Sequence, residues 1–208
     1  LSRDLAALLE QEPVQLPARE FIFHAAATVS RQWEHRRLAA LHALKQGKAA
    51  VTVATVEGFL QRTLPPATLE QACFSLKVGE SYDLNGLCDQ LTAAGYVRCE
   101  QVEGPGQFAL RGGILDFYSP ASPQPVRAEF WGDELDSMGV FDPATQRRVE
   151  NVQSTEVLPA AETLPRLAPG GLLGLAGDID QRRDQVAKAN QRRKLDHYAA
   201  LTQTLESD

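Results

Sequence analysis

The sequence has no long hydrophobic segment, and no apolar run reaches the roughly 18 residues that a membrane-spanning helix requires. No apolar core of a signal peptide opens the chain. We therefore predict a cytoplasmic protein with no membrane partner. The first residue is Leu1 rather than Met, from which we expect the chain to have been excised from something longer.

Cysteine and histidine are scarce and scattered. Three cysteines, Cys73, Cys88 and Cys99, stand at no CxxC or Cys/His spacing, and an odd number cannot all pair with one another. We expect small buried thiols in a reducing compartment. His35 and His42 are too far apart for the i, i+4 arrangement of a helical zinc site. We predict no metal and no other cofactor.

Motifs of catalysis and nucleotide binding are also missing. The sequence has no GxxxxGK[ST] phosphate loop, no GxGxxG between a strand and a helix, no GxSxG and no HExxH. The Asp133-Glu134 pair resembles an acidic helicase box only superficially, because it lies between two predicted antiparallel strands, where a hairpin turn explains it. No nucleophile–base pair is visible. We predict no catalytic residue and no enzymatic activity in this segment.

The composition is that of an ordinary globular protein, but the charge is unevenly distributed. Of 208 residues, 43% are hydrophobic and 23% are charged, with a formal net charge of −6. Residues 67–160 carry six basic and 14 acidic side chains, whereas 1–66 carry eight and six, and 161–208 carry seven of each. Because an acidic segment repels the phosphate backbone, we expect the middle part not to bind DNA.

The order of predicted elements divides the chain into three parts. Residues 1–66 alternate strands and helices, as in a parallel α/β sheet, and Pro65-Pro66 marks a boundary. Residues 67–160 carry sequential strands and one helix, the order of an α+β domain with one antiparallel sheet. Residues 161–208 form a linker and a C-terminal helix. The predicted helices are 1–12, 30–45, 56–62, 83–95 and 178–205, and the predicted strands are 19–23, 49–55, 72–78, 96–102, 107–110, 114–118, 126–131, 137–141 and 149–158.

Alternation along the predicted strands brings two arginines and a tryptophan to one surface. In the strand that ends at Trp131, alternate residues face the core, so that Arg127, Glu129 and Trp131 share the outer side. Arg111, at the end of an earlier strand, also faces outward. Arg and Trp are enriched at interface hot spots, and a guanidinium binds a carboxylate bidentately, which favours a partner-binding surface. The alternative is that each arginine pairs with a local acid such as Glu129 or Asp133.

A rival hypothesis rests on the basic residues of the predicted C-terminal helix. Arg182-Arg183 and Arg192-Arg193-Lys194 are candidates for contact with nucleic acid. The equal numbers of acidic and basic side chains in 161–208 favour a solvated helix face instead.

Several stretches of the sequence resemble the bacterial transcription-repair coupling factors. They are GQFALRGGILDFYSP at 106–120, PVRAEFWGDELDS at 125–137, FDPATQR at 141–147 and, upstream, VATVEGFLQRTLPP at 53–66. The resemblance covers about 19–160, and the central motif is long and specific. The tail beyond 161 matches poorly.

This resemblance implies a fold, a partner and a contact site. The matching part of the family is its UvrB-homology region, in which an antiparallel UvrA-binding domain is inserted into a helicase-like α/β domain that has lost its nucleotide motifs. The family's UvrA-contacting arginines fall on Arg111 and Arg127, its aromatic contact, usually Phe, falls on Trp131, and Glu129 lies beside them. We expect a non-catalytic module that brings UvrA to stalled RNA polymerase, with the polymerase and DNA bound by other domains.

A fragment of the excision-repair protein UvrB remains an alternative, because UvrB carries the same insert. Its N-terminal region carries a P-loop and a DNA-clamping hairpin, and neither is visible here. The LQRTLPP stretch at 60–66 favours the coupling factor.

Overall fold

The structure is a computed structural model that describes residues 2–19, 31–120 and 122–206. Two compact units are present, 1–164 and 165–208. The described residues form a mixed α/β fold with three sheets and a C-terminal helix. The predicted domain boundary at Pro65-Pro66 stays a prediction.

The described residues contain six α-helices and ten strands. The helices are α1 (Ser2–Leu9), α2 (Gln32–Lys45), α3 (Val56–Leu60), α4 (Pro66–Ala72), α5 (Leu84–Ala93) and α6 (Gly171–Glu206). The strands are β1 (Val14–Leu16), β2 (Thr52–Ala54), β3 (Phe74–Lys77), β4 (Val97–Arg98), β5 (Gln107–Arg111), β6 (Ile114–Phe117), β7 (Val126–Trp131), β8 (Glu134–Phe141), β9 (Arg148–Asn151) and β10 (Ser154–Val157).

The N-terminal part contains a parallel strand pair covered by a helix. Strands β1 and β2 run in parallel with Val14 opposite Thr52, and α2 packs against β1. Parallel pairing agrees with the predicted alternation of strands and helices in this part. The predicted strand at 19–23, apart from Arg19, and Ser30, the first residue of the predicted helix at 30–45, lie outside the described residues.

Helix α4 is absent from the sequence-based prediction, because Pro65-Pro66 is typical of a break. Pro66 occupies the first turn of α4, where its missing N–H is not needed and its ring presets a helical φ. Leu69 and Ala72 are then buried on the inner side of the helix. The helix predicted at 83–95 corresponds to α5, and Asp83 caps it, since its side chain accepts a hydrogen bond from the backbone N–H of Asn85.

The larger unit centres on a six-stranded sheet in the order β4-β5-β6-β7-β8-β9. Strands β5 to β9 are antiparallel neighbours, as predicted. The first strand differs, because β4 runs parallel to β5 and is limited to Val97 and Arg98. The predicted strand at 96–102 is therefore wrong beyond those two residues.

The predicted strand at 149–158 is in fact two strands in different sheets. Strand β9 pairs with β8, whereas β10 pairs with β3 in a separate two-stranded antiparallel sheet. The change occurs at two adjacent residues: the N–H of Val152 donates to the carbonyl of Met138, and the carbonyl of Gln153 accepts from Val78. Both halves keep an extended backbone, so the residue pattern shows no break.

The sheet has an inner face in the core and an outer face on the other side. The inner face packs against α5 and the β3–β10 pair, around Phe108, Leu115, Phe117, Val126, Ala128, Leu135 and Met138. Because side chains alternate along each strand, the intervening residues lie opposite. We call this the outer face, and it carries Arg111, Asp116, Arg127, Glu129 and Trp131.

Residues 158–164 follow β10 and pack against α2 rather than forming an open linker. The carbonyl of Ala160 lies 3.2 Å from Nε2 of His35, and Nε of Arg37 donates to Oε1 of Glu162 at 2.8 Å. Arg37 and Glu162 are both buried. A buried carboxylate requires a cation partner, so this ion pair keeps the segment in place.

The second unit consists of a short 3-10 helix, Pro165–Leu167, and α6. Helix α6 begins at Gly171, ahead of the predicted start at 178, because leucine and alanine between its glycines favour helix. Among the described residues, no helix is both long and apolar enough to cross a membrane. The sequence of α6 spaces Val186, Leu195, Tyr198, Leu201 and Leu205 as a weak apolar stripe. Val186 is about half-exposed, and the side chains of the other four lie outside the described residues.

Acidification is expected to weaken the packing of α2 through His35. A carbonyl oxygen only accepts hydrogen bonds, so the neutral ring donates from Nε2 to Ala160. Burial lowers the pKa of His35 below its ordinary value of 6.5. Because the folded state disfavours the charged ring, the contribution to stability is complete above pH 6.5 and is lost as the pH falls below it.

The variant His35→Gln keeps an N–H donor but does not titrate. Its free energy of unfolding in urea, compared with that of the unmodified chain between pH 7 and pH 5, isolates this contribution because the two proteins differ only at residue 35. We expect the free energy of unfolding of the unmodified chain to fall relative to that of the variant as the pH is lowered from 7 to 5. An NMR titration that gives His35 a pKa above 6.5 contradicts this account.

Candidate functional site

Two tight hairpins set the positions of the outer-face side chains. Gly112 and Gly132 each have a φ of +61°, a left-handed conformation that glycine adopts without strain. A Cβ at Gly113 would lie 2.8 Å from the carbonyl oxygen of Phe130, so β6 and β7 approach closely only with glycine there. The turn after Trp131 also confirms the prediction that the Asp133-Glu134 pair lies at a hairpin between two antiparallel strands.

The pairing register brings Arg111 and Trp131 to the same end of the outer face. Arg111 lies opposite Ile114, which lies opposite Glu129, and Trp131 follows two residues later in β7. Standard strand spacings put the Cα atoms of Arg111 and Trp131 roughly 12 Å apart. The Trp131 side chain is 85% exposed, which leaves a large apolar area in water at this end of the sheet.

A buried carboxylate joins the two arginines. Asp116 in β6 is 0% exposed and lies opposite Arg127. Arg127 donates from Nε to Oδ1 at 2.7 Å and from Nη2 to Oδ2 at 2.9 Å, and Arg111 donates from Nη2 to Oδ2 at 2.8 Å. The hydrogen bonds to Asp116 raise the pKa of Arg127. Both arginines therefore pair with a local acid, but with Asp116 rather than Glu129 or Asp133.

Arg127 is more tightly enclosed than Arg111. Its Nη1 and Nη2 donate to the backbone and side-chain oxygens of Gln146 at 3.2 and 3.3 Å, and its Cζ lies 4.7 Å from the centre of the Phe141 ring. The side chain of Arg127 is 18% exposed, against 50% for Arg111. The two arginines, equivalent in the sequence analysis, thus have different surroundings.

Glu129 is paired as well, with a residue that the sequence analysis missed. Arg148 in β9 donates from Nη2 to Oε1 of Glu129 at 2.7 Å, and the hydroxyl of Ser137 donates to Oε2 at 3.2 Å. Contact with Arg148 depends on the register of three strands, and no local pattern indicates it. The sequence did contain an indication of Asp116. It is the only acid in the apolar strand β6, and alternation puts it on the same side of the sheet as Arg111.

A Cys–His–Glu cluster lies outside the outer face. Sγ of Cys73 is 3.9 Å from Nδ1 of His42, whose Nε2 is 3.1 Å from Oε2 of Glu156. The sequence analysis found no such nucleophile–base pair. Burial raises the pKa of Cys73 to about 11, so the thiol stays protonated at neutral pH and is not an activated nucleophile.

The described parts of the chain offer little support for a metal site with three or more protein ligands or for a nucleic-acid-binding helix. Across 2–19, 31–120 and 122–206, no three His, Cys, Asp or Glu side chains are grouped so as to hold a metal ion. On α6, Arg183 pairs with Asp180 at 2.9 Å and with Asp184 at 3.2 Å, so its charge is partly neutralised within the helix.

Comparison with known proteins connects the outer face to a domain family. Residues 74–162 match the family model described as the UvrB interaction domain, and this range includes the whole outer face. The chain is also similar to proteins named transcription-repair-coupling factor. That of Bacillus subtilis is 35% identical over 165 residues, and those of Myxococcus xanthus and Escherichia coli are 33% and 36% identical over 159 and 126 residues. These matches confirm the resemblance found in the sequence.

The matched regions cover most of this chain but little of each relative. The alignments span 78% of this chain for the Bacillus subtilis protein, 76% for that of Myxococcus xanthus and 61% for that of Escherichia coli. They span only 14%, 13% and 11% of the relatives' own lengths.

The variant Arg127→Met is expected to lower the free energy of unfolding by about 3 kcal/mol. Removing one partner of a buried ion pair costs roughly 3–5 kcal/mol, and Arg111 still partly neutralises Asp116. Urea unfolding at pH 7 measures the loss. Arg111→Met is the matched control and should cost less, because half of that side chain is in water and Arg127 still holds both carboxylate oxygens. Equal losses of unfolding free energy in the two variants would contradict the conclusion that Arg127 is the main partner of Asp116.

Proposed function

We propose that this chain, whose residues 74–162 match the model of the UvrB interaction domain, is the UvrA-recruitment module of a transcription-repair coupling factor. The observation that carries the proposal is the exposed indole of Trp131, at the open end of the outer face and within the matched range. In this proposal the contact surface consists of Arg111, Arg127, Glu129 and Trp131.

The chemistry of the outer face suits a protein partner better than a nucleic acid. An exposed indole gains most by entering an apolar pocket on another protein, and a half-exposed guanidinium on the same face suits a carboxylate. The negative charge of residues 67–160 opposes binding to a phosphate backbone. These features support a docking role in a segment that lacks nucleotide-binding motifs, and we propose that the segment is non-catalytic.

The wider role of the protein follows from the names of its relatives and remains part of the proposal. The module would bring UvrA to lesions at which RNA polymerase has stalled, with polymerase and DNA contacted by other domains. In the same proposal, residues 1–66 are a partial, degenerate helicase-like α/β domain, 67–160 are the UvrA-binding domain, and 161–208 are a linker and helix. The parallel pair β1–β2 is compatible with the first assignment.

The two alternatives receive less support. A fragment of UvrB shares the domain, but the relatives described above are named as coupling factors. A nucleic-acid-binding tail would use the basic residues of α6, of which Arg183 already pairs with Asp180 and Asp184.

Trp131→Ala is expected to weaken UvrA binding by about 30-fold or more, because truncation of a buried aromatic hot spot costs about 2 kcal/mol or more. Arg111→Ala should weaken it by roughly tenfold. Calorimetric titration of the full chain with UvrA measures both effects.

Phe59→Ala is the matched control, since Phe59 is an equally exposed aromatic residue on a different element, α3. Its affinity for UvrA should equal that of the unmodified chain. Undiminished binding by the Trp131→Ala, Arg111→Ala double variant would rule out the outer face as the contact surface.

Removal of the four arginine side chains of α6 is expected to leave UvrA binding unchanged. The variant carries Arg182→Ala, Arg183→Ala, Arg192→Ala and Arg193→Ala in the full chain. A gel shift with duplex DNA tests the rival hypothesis on the same protein. A strong shift by the unmodified chain that these four substitutions abolish would favour the nucleic-acid-binding tail instead.

A further inference from the structure

We infer that Sγ of Cys73 and Nδ1 of His42 form a binding site for a zinc ion, with Glu156 as the positioning residue that orients the His42 ring. The site lies apart from the outer face, and it does not depend on the proposed UvrA-binding function. The two ligands are 31 residues apart in the sequence, so no spacing motif indicates the site. The sequence analysis accordingly predicted no metal.

The distance between the two ligand atoms fits a shared metal ion. Sγ of Cys73 lies 3.9 Å from Nδ1 of His42. Zinc binds cysteine sulfur at about 2.3 Å and histidine nitrogen at about 2.0–2.1 Å, so tetrahedral ligation separates the two ligand atoms by about 3.6 Å. A small movement of either side chain closes the difference. A direct hydrogen bond between the two groups contributes little, because a thiol is a weak donor.

The partner of Nε2 determines which nitrogen of His42 is free to bind a metal. Nε2 lies 3.1 Å from Oε2 of Glu156, and the carboxamide of Gln46 lies on the same side of the ring, 2.6 Å from Nε2. A carboxylate only accepts hydrogen bonds, so Nε2 carries the proton of the neutral ring and Nδ1 carries the lone pair. Histidines that bind zinc show this arrangement, in which the other ring nitrogen donates to a carboxylate.

Two helices and a strand bring the two ligands and the positioning carboxylate together. His42 lies in the last turn of α2, and Cys73 is the residue at which α4 ends. Nζ of Lys45, also on α2, contacts Oε2 of Glu70 on α4 at 3.0 Å and so joins the two helices. Glu156 belongs to β10. Because the ligands are already close, an ion binds with little further loss of conformational freedom.

The space beside the two ligands suits a hydrated cation. A cavity of about 300 Å³ is lined by both ligands and by three charged side chains, Glu70, Glu156 and Lys45, which together carry one negative charge. Among the residues that the structure describes, no third His, Cys, Asp or Glu joins the two ligands. Water therefore completes the tetrahedron, as it does at zinc sites that keep an open position.

Binding replaces the proton of the Cys73 thiol with the ion. The sulfur–hydrogen bond breaks, the sulfur–zinc bond forms with the electron pair left on sulfur, and the proton goes to solvent, so no electron is transferred. The bound ion then joins the end of α2 to the end of α4. Because zinc binds the folded chain at this pair, it stabilises the fold by mass action.

Calorimetric titration of the full chain, without a histidine tag, with zinc chloride tests the site. We expect one ion per chain, and Cys73→Ser and His42→Gln should each abolish the binding. Glu156→Ala should weaken it about tenfold, because loss of the outer partner of a ligating histidine costs about 10- to 100-fold in metal affinity. Glu156→Gln should restore part of the affinity, since its amide oxygen still accepts from Nε2.

Matched controls remove another thiol and another imidazole. Cys99 is a second partly buried free cysteine, and His35 is a second histidine of α2. The variants Cys99→Ser and His35→Gln should bind zinc as the unmodified chain does. Circular dichroism of every variant without metal establishes that it is folded, so that a loss of binding reports the loss of a ligand.

Cobalt(II) in place of zinc gives a readout that surface histidines cannot produce. Cobalt bound to a thiolate has a sulfur-to-metal charge-transfer band, which should appear with the unmodified chain and with Cys99→Ser but not with Cys73→Ser. Zinc should likewise raise the Tm of the first two proteins and not of the third. Equal zinc affinity of the unmodified chain and Cys73→Ser, or a cobalt complex without the thiolate band, overturns the inference and indicates adventitious surface binding only.

Discussion

The burial of one carboxylate organises the outer face of the sheet. Asp116 is fully buried, and a charge removed from water is tolerated only when cations and hydrogen-bond donors replace the lost hydration. The fork of Arg127 meets this need, Arg111 adds a third bond, and Gln146 and Phe141 enclose Arg127 from the other side. The positions of these side chains follow from a single polar residue in an otherwise apolar strand.

The same constraint acts where α2 meets residues 158–164. Arg37 and Glu162 are both buried, Nε of Arg37 lies 2.8 Å from Oε1 of Glu162, and Nη1 of Arg37 donates to the carbonyl of Pro17. Such a pair contributes little net stability, but an unpaired member would be costly, so the elements that carry the two charges must meet. In both places a buried charge determines which segments lie together, and ordinary apolar packing fills the space around them.

Local features of the fold were predictable from the sequence, and contacts that depend on strand register were not. Alternation correctly assigned Arg127 and Trp131 to the outer face, because side chains change sides with a period of two whatever the neighbouring strand is. Alternation also puts Asp116 on the outer side, but its pairing with Arg127, 11 residues away on another strand, depends on the register of β6 and β7. The division of 149–158 into two strands was missed for a related reason, since a change of sheet leaves an extended backbone unchanged.

The central claim is that the outer face, at Trp131, is where the partner binds. The chain has two tryptophans, Trp33 on α2 and Trp131 at the end of β7, so each serves as a reference for the other. Labelling with 5-fluorotryptophan gives two ¹⁹F resonances, which Trp131→Phe assigns. On addition of UvrA the account predicts that the Trp131 resonance changes its chemical shift while that of Trp33 does not. A shift of the Trp33 resonance with that of Trp131 unchanged would contradict it.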